Sequence, residues 1–178
     1  LRRIAIVDEA PAGQYLAPEF ELFRRLFVAN GIDALIADPG EFDHADGRLR
    51  CRDLDVDLVY NRLTDFSLDA PANAALRSAF LAHAVVLTPH PRAHALYASK
   101  RNLALLTDAD RLTTFGVPPA TIATLLDGIP RTQSVDAADA DHWWARRKEL
   151  FFKPTAGFGS RGSYRGDKVT RKVFADIL

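Results

Sequence analysis

The sequence contains no methionine and a single cysteine, Cys51. A lone thiol excludes an internal disulfide, so stability has to come from packing, and the chain suits a reducing compartment such as the cytoplasm. Cys51 lies between Arg50 and Arg52 with no histidine close in sequence, and reads as a buried or inert thiol rather than a nucleophile. Excess charge of either sign is also lacking, because 23 Lys and Arg balance 23 Asp and Glu. No global field draws the protein toward nucleic acid or a membrane surface; neither is expected as a partner, and any anion binding has to be local. No apolar run approaches the roughly 20 residues that span a bilayer, and Leu1-Arg2-Arg3 leads straight into a strand pattern instead of a secretory leader. With no initiator methionine and an end at Leu178 inside a helical pattern, a fragment of a longer protein or an edited chain is the expectation.

What is present is material for a core, since 48% of the 178 residues are hydrophobic, enough for one compact domain or one and a fraction. Ile4-Ala5-Ile6-Val7 closed by Asp8 has the pattern of a buried parallel strand whose carboxyl end faces a crevice. From Pro18 to Asn30, Phe20, Phe23, Leu26 and Phe27 recur at helical spacing, with Gly31 as the stop. A strand over Ile32 to Ala37 follows, then an Asp46-Gly47 hairpin signal. Asp57 to Tyr60 is a further strand ending at Asn61-Arg62, Ala70 to His83 a helix, and Ala84 to Leu87 another short strand. This alternation predicts an α/β fold with an open, mostly parallel, Rossmann-like sheet. Helices are predicted over Arg92 to Tyr97, over Ser99 to Leu106 with Ser99 as N-cap, and up to Gly116. Val117-Pro118-Pro119 opens a second region, giving domains over 1–116 and 117–178. In the second, Glu149 to Lys153 is a predicted strand, Ser163 to Arg165 its returning partner, and Thr170 the start of a last helix.

The segment between those strands carries the chemistry. Lys153 is followed by Gly157-Phe158-Gly159-Ser160-Arg161-Gly162. Glycines let backbone N–H groups approach phosphate oxygens with no Cβ in the way, and a lysine on the preceding strand supplies a fixed positive charge. Gly157-x-Gly159-x-x-Gly162 matches the dinucleotide fingerprint literally, but that fingerprint belongs after the first strand and opens a helix, whereas this one is late and runs into Ser163-Tyr164-Arg165. A flap between antiparallel strands fits better than a nicotinamide-dinucleotide site; a plain hairpin turn with a solvated lysine is the bland alternative. Asp8 and Asn61-Arg62 follow the carboxyl ends of strands, where open α/β sheets place ligand contacts. Arg62 is suited to grip a substrate carboxylate with two parallel hydrogen bonds, or to pin a loop by pairing with Asp65 or Asp69. His90 and His94 have the i, i+4 spacing of a metal pair but no third ligand, and a capped helix entry explains them as well. Trp143 and Trp144 beside Arg146, Arg147 and Lys148 read as a core edge next to a solvated face rather than a base-stacking site.

Taken in order, Leu96-Tyr97-Ala98-Ser99-Lys100, then Phe152-Lys153-Pro154, then Gly157 to Gly162, the chain resembles the ATP-grasp superfamily, and within it the glutathione synthetase-like carboxylate–amine ligases. The resemblance implies a pre-ATP-grasp substrate domain followed by part of a small α+β ATP-grasp lobe, cut before the metal-binding residues. It implies ATP as cofactor, with Lys100 and Lys153 on the α and β phosphates and Gly157, Phe158, Gly159, Ser160, Arg161 and Gly162 over the triphosphate. It further implies Mg²⁺ held by residues outside this chain, and a carboxylate, amino acid or peptide substrate activated through an acylphosphate for attack by an amine or thiol, with Asp8, Asn61 and Arg62 on the substrate side. Arg161 is larger than the small residues such flaps often carry. Without its metal ligands this stretch is expected to be inactive by itself. The competing expectation is a non-catalytic α/β binding module with a degenerate flap, and an exposed sheet edge in the first region would allow a homo-oligomer.

Overall fold

The computed structural model describes every residue from Leu1 to Leu178, and the chain divides into two compact units, Leu1–Ala95 and Leu96–Leu178. No helix is long and apolar enough to cross a membrane.

Unit 1 is α/β. Its four-stranded sheet is parallel throughout, in the order β2-β1-β6-β7, with β1 Arg3–Val7, β2 Asp33–Ala37, β6 Leu58–Asn61 and β7 Val86–Thr88. The chain leaves β1 outward to β2 and returns to pair β6 on the other side of β1. The direction of winding therefore reverses between β1 and β6, whose carboxyl ends open the crevice where such sheets bind ligands.

Helix α1 (Ala17–Ala29) packs on β1 and β2 and buries Phe20, which is 1% exposed. That burial stabilises the unit by about 1.5–3 kcal/mol. Phe23 and Phe27 meet the Tyr60 ring edge-on, at 5.2 and 6.5 Å. Leu26, expected on the buried stripe, is instead exposed, because the apolar face of α1 is centred on Phe20, Phe23 and Phe27. Gly31 ends the helix at φ +76°, and the Ile32 N–H donates back to the Phe27 carbonyl.

The other sheet face receives α2 (Ala74–Leu81) and the antiparallel strands β3 (Phe42–Ala45), β4 (Arg48–Cys51) and β5 (Leu54–Asp55). Asp46 and Gly47 both take positive φ, as the tight β3–β4 turn requires. Ala5, Val7, Val59 and Leu87 of the sheet, Leu49 and Cys51 of β4, and Leu76 and Ala79 of α2 form one core. Burial pushes the Cys51 thiol pKa up, which keeps it protonated and unreactive.

Unit 2 begins inside α3 (Pro91–Tyr97) rather than at the expected 116/117 boundary. The physical reason is that α4 (Arg101–Leu106) is tied to the C-terminal residues: the Lys100 N–H donates to the Thr155 carbonyl at 2.9 Å. Ser99 is not the residue next to this helix; Lys100 stands at the cap, and Ser99 Oγ accepts from the Arg101 N–H at 3.4 Å.

Helices α5 (Ala109–Thr114) and α6 (Pro119–Gly128) follow, and then α7 (Ala140–Arg146), strands β8 (Phe151–Phe152) and β9 (Tyr164–Arg165), and α8 (Arg171–Ile177). β8 is shorter than predicted because Arg147–Glu149 forms a 3-10 turn. Trp143, Phe152, Val169 and Phe174 make the core of this part, with Trp144 at its edge. Thr170 caps α8 by accepting the Val173 N–H.

Candidate functional site

Strands β8 and β9 pair antiparallel, Phe151 opposite Arg165 and Phe152 opposite Tyr164. The glycine-rich segment is therefore the loop of a β-hairpin, as its position between two extended pieces predicted. Phe152 turns into the core against Phe174 at 5.8 Å. The pleat then puts Phe151, Lys153 and the cross-strand Arg165 on the opposite face, and Lys153 Nζ indeed lies 5.5 Å over the Phe151 ring.

Within the loop, Gly157, Gly159 and Gly162 have φ of +125°, +60° and +68°. At Gly157 and Gly162 a side chain would strain the backbone through its positive φ, although at Gly162 a Cβ would meet Pro154 only at the ordinary contact distance of 3.5 Å. Ser160 shares the left-handed conformation, and the Ser163 N–H donates to its carbonyl. Phe158 is partly exposed with the Arg161 guanidinium 5.4 Å above its ring.

Lys100 reaches this loop from 57 residues away. Its Nζ donates to the Gly157 carbonyl at 3.0 Å, beside the backbone bond to Thr155. The structure thus brings Lys100, Gly157, Phe158, Gly159, Ser160, Arg161 and Gly162 together inside unit 2, with Lys153 at the foot of the flap. Sequence reasoning missed Arg165; the strand register that places it on the Lys153 side is invisible until the hairpin is closed. Its guanidinium is held by Asp167 at 2.9 Å.

Asp8, Asn61 and Arg62 lie in unit 1 at the adjoining carboxyl ends of β1 and β6, where Val7 pairs Asn61 and the Arg62 N–H donates to the Val7 carbonyl. Burial holds the Asp8 carboxyl above its ordinary pKa; the Glu9 N–H opposes this, the Glu9 charge adds to it, and the Arg62 charge works against it. Asn61 is 3% exposed; its Oδ1 accepts from the Leu63 N–H, while its Nδ2 has no protein partner.

Arg62 pairs with neither Asp65 nor Asp69. Its ion pair is with Glu19 of α1 at 2.8 Å, and it donates to the Tyr60 hydroxyl. Asp65 instead accepts from Ala70 N–H and Asn73, and Asp69 pairs with Arg77, because the turn before α2 folds back on itself. Arg62 Nε is buried without a partner.

Other candidates resolve structurally. His90 Nδ1 accepts from the Arg92 and Ala93 N–H groups at the start of α3, and His94 stacks on Phe66 at 3.8 Å, so the two imidazoles are engaged separately. No group of three or more His, Cys, Asp or Glu side chains is placed to hold a metal ion. Unit 1 also has a cavity of about 490 Å³ lined by Ala10, Ala17, Phe20, Ile36 and the Glu41–Arg52 ion pair, and a polar one of about 750 Å³ around Arg2, Arg3, Arg48, Arg50, Asp55 and Asp57. Neither is lined by Asp8, Asn61 or Arg62. The fold and the strand-end crevice define an α/β protein with a parallel sheet. No protein-family model matches the chain, and no curated protein matches it significantly.

Proposed function

We propose that this chain is the front portion of an ATP-dependent ligase of the ATP-grasp kind, a carboxylate–amine or carboxylate–thiol ligase whose small lobe grips the nucleotide. One observation carries the reading: Lys100 Nζ stands 3.0 Å from the Gly157 carbonyl, so two motifs far apart in sequence converge on one glycine flap. ATP, when bound, supplies the phosphoryl group that activates a carboxylate.

The chain's own residues grip and shield. The ammonium groups of Lys100 and Lys153 neutralise phosphate charge, the N–H groups of Gly157 to Gly162, other than that of Arg161, which donates to the Phe158 carbonyl, line the polyphosphate, and Phe158 screens it from water. The donor set fits: it offers cations and backbone N–H groups with no carboxylate in the flap. No group of three or more His, Cys, Asp or Glu side chains in this chain is placed to hold Mg²⁺. Arg62 and Asp8 are the proposed contacts to a substrate carboxylate and its neighbouring polar group; an incoming carboxylate would compete with Glu19 for the guanidinium.

Titration calorimetry of the protein with ATP and, separately, with NAD tests this. ATP is expected to bind weakly and NAD not at all. Lys153→Ala should weaken ATP about tenfold or more, the loss of one charge-assisted contact at 1.5–3 kcal/mol. Unchanged ATP affinity in that variant, or preference for NAD, would sink the reading in favour of a non-catalytic module or a dinucleotide site.

A further inference from the structure

We propose that unit 2 carries a second anion-binding surface, built around Trp144 from Arg147, Lys148, Lys168, Arg171 and Lys172, which docks the phosphate backbone of duplex nucleic acid without reading its sequence. The neutral total charge argues against such a partner only as a sum. From Arg146 to Leu178 there are nine Lys and Arg against three acids. Glu149 is taken by Arg146 and Asp167 by Arg165, while Asp176 makes no ion pair. None of the five proposed cations has a carboxylate partner.

Two of the five, Arg147 and Arg171, are fixed in place. The Arg147 guanidinium lies 3.7 Å from the centre of the Trp144 ring and that of Arg171 4.1 Å from it. Two planar groups at these distances cannot share one face, so they sandwich the indole, and Arg147 also donates to the Trp144 carbonyl. Gly166 packs so closely on Arg147 that a Cβ would stand 1.8 Å from the Arg147 carbonyl oxygen. That contact draws the turn Gly166–Lys168 against the turn Arg147–Glu149, and α8 then presents Arg171 and Lys172.

The surface is separate from the nucleotide flap. Trp144 packs on Phe174, on the core side of β8, whereas Phe151 and Lys153 project from the other side. Stacking on an indole holds a guanidinium in place while its edge N–H groups, apart from the Arg147 Nη1 that donates to Trp144, stay free for phosphate oxygens.

The chemistry selects the partner. Both faces of Trp144 are filled, so no base can stack there, which favours a duplex with its bases already stacked over a single strand. Within residues 144–150 and 166–178 the one large exposed apolar side chain is Leu178, at the far end of α8, so the cationic surface itself has no apolar anchor. A protein partner would need such an anchor, and so would insertion into a membrane.

Fluorescence anisotropy with a labelled mixed-sequence DNA duplex, followed against salt, tests the proposal on the whole chain. Five phosphate contacts predict a slope of log affinity against log salt of about −4 to −5. Arg147→Ala with Arg171→Ala should reduce the slope by about two. So should Lys148→Gln with Lys172→Gln, which leaves the indole sandwich intact and guards against a folding artefact. Lys153→Ala with Arg161→Ala should change nothing, which separates this surface from the flap. The proposal is overturned by duplex binding that salt does not weaken, by equal loss in the flap variants, by strong sequence preference, or by tighter binding of poly-glutamate or of anionic phospholipid vesicles than of the duplex.

Discussion

The two units differ in how they hold their cations, although Arg146 and Arg165 of unit 2 also pair with carboxylates and Arg62 of unit 1 also lies over a ring. In unit 1 the arginines grip carboxylates: Arg3 holds Asp33, Arg24 and Arg25 share Glu21, Arg48 and Arg50 share Asp55, Arg52 takes Glu41, Arg62 takes Glu19 and Arg77 takes Asp69. The two arginines bring the Glu21 carboxyl down to a pKa of about 2. In unit 2 Arg147 and Arg171 lie over Trp144, Lys153 over Phe151 and Arg161 over Phe158. A cation on a ring keeps its charge for a third party, whereas one on a carboxylate has spent it. Exposed pairs of the unit 1 kind contribute only about 0–1 kcal/mol each, so the contrast concerns available charge more than stability. Unit 1 holds 14 acids to 10 bases and unit 2 holds 9 acids to 13 bases, a division that the total of zero conceals.

The sharpest way to separate the units is to break one of them. Both tryptophans, Trp143 and Trp144, lie in unit 2, so tryptophan fluorescence follows that unit while far-ultraviolet circular dichroism follows both. Gly166→Ala should have the largest effect. Its Cβ would meet the Arg147 carbonyl oxygen at 1.8 Å and the Leu150 carbonyl oxygen at 2.8 Å, backbone atoms that cannot swing aside. A loss of about 4 kcal/mol or more is expected, seen as a fluorescence midpoint shifted far below the dichroism midpoint. Coincident transitions in the variant would mean that the units unfold as one.

The reciprocal change is Phe20→Ala, which empties a site that is 1% exposed under α1. About 3–5 kcal/mol should be lost. The dichroism midpoint should move and the tryptophan midpoint should not.

How much of this was legible in the sequence follows from the range of the forces involved. Strands β1, β2, β6 and β7 and helix α1 are written in local periodicity and in stops such as Gly31, because burial on a parallel sheet demands continuous apolar runs. The Asp46-Gly47 turn is equally local. The flap was legible as a glycine pattern, and its antiparallel strands as its flanks. What was not legible depends on contacts far apart in the chain: Glu19 closing on Arg62, Lys100 reaching Gly157, and Arg165 sharing a sheet face with Lys153. Asp65 and Asp69 were nearer in sequence to Arg62, but the turn before α2 consumes both. The helix that begins after Lys100 looked like part of the first region, and the hydrogen bond from the Lys100 N–H to the Thr155 carbonyl ties it to the second.

A smaller effect separates Asp8 from the paired acids of unit 1. Its carboxyl is raised, so the folded state binds a proton more readily than the unfolded chain does. Stability is therefore lost as pH climbs from the ordinary carboxylate value through the raised one, the opposite sign to Glu21, whose contribution is present above the ordinary value and disappears as pH falls toward about 2. Asp8→Asn should remove the first loss, so the variant should be more stable than the parent at neutral pH and indistinguishable from it at acid pH. A variant equally shifted at both ends would show that the substitution acts through packing.

The smallest effect expected is also the most direct comparison of the two charge patterns. Salt screens attraction and repulsion alike within about 10 Å at 0.1 M. In unit 1 it weakens ion pairs such as Arg48–Asp55 and Arg77–Asp69, which are exposed enough for ions to reach. In unit 2 it relieves the mutual repulsion of Arg147, Lys148, Lys168, Arg171 and Lys172, which have no carboxylate to offset them. Raising sodium chloride from about 0.05 to 0.5 M should therefore lower the stability of unit 1 by a few tenths of a kcal/mol and raise that of unit 2 by a similar amount, about the size of surface charge effects. The tryptophan midpoint should climb while the dichroism midpoint stays or falls. Midpoints moving together in the same direction would show that the asymmetry of charge along the chain leaves no trace in the stability of either unit.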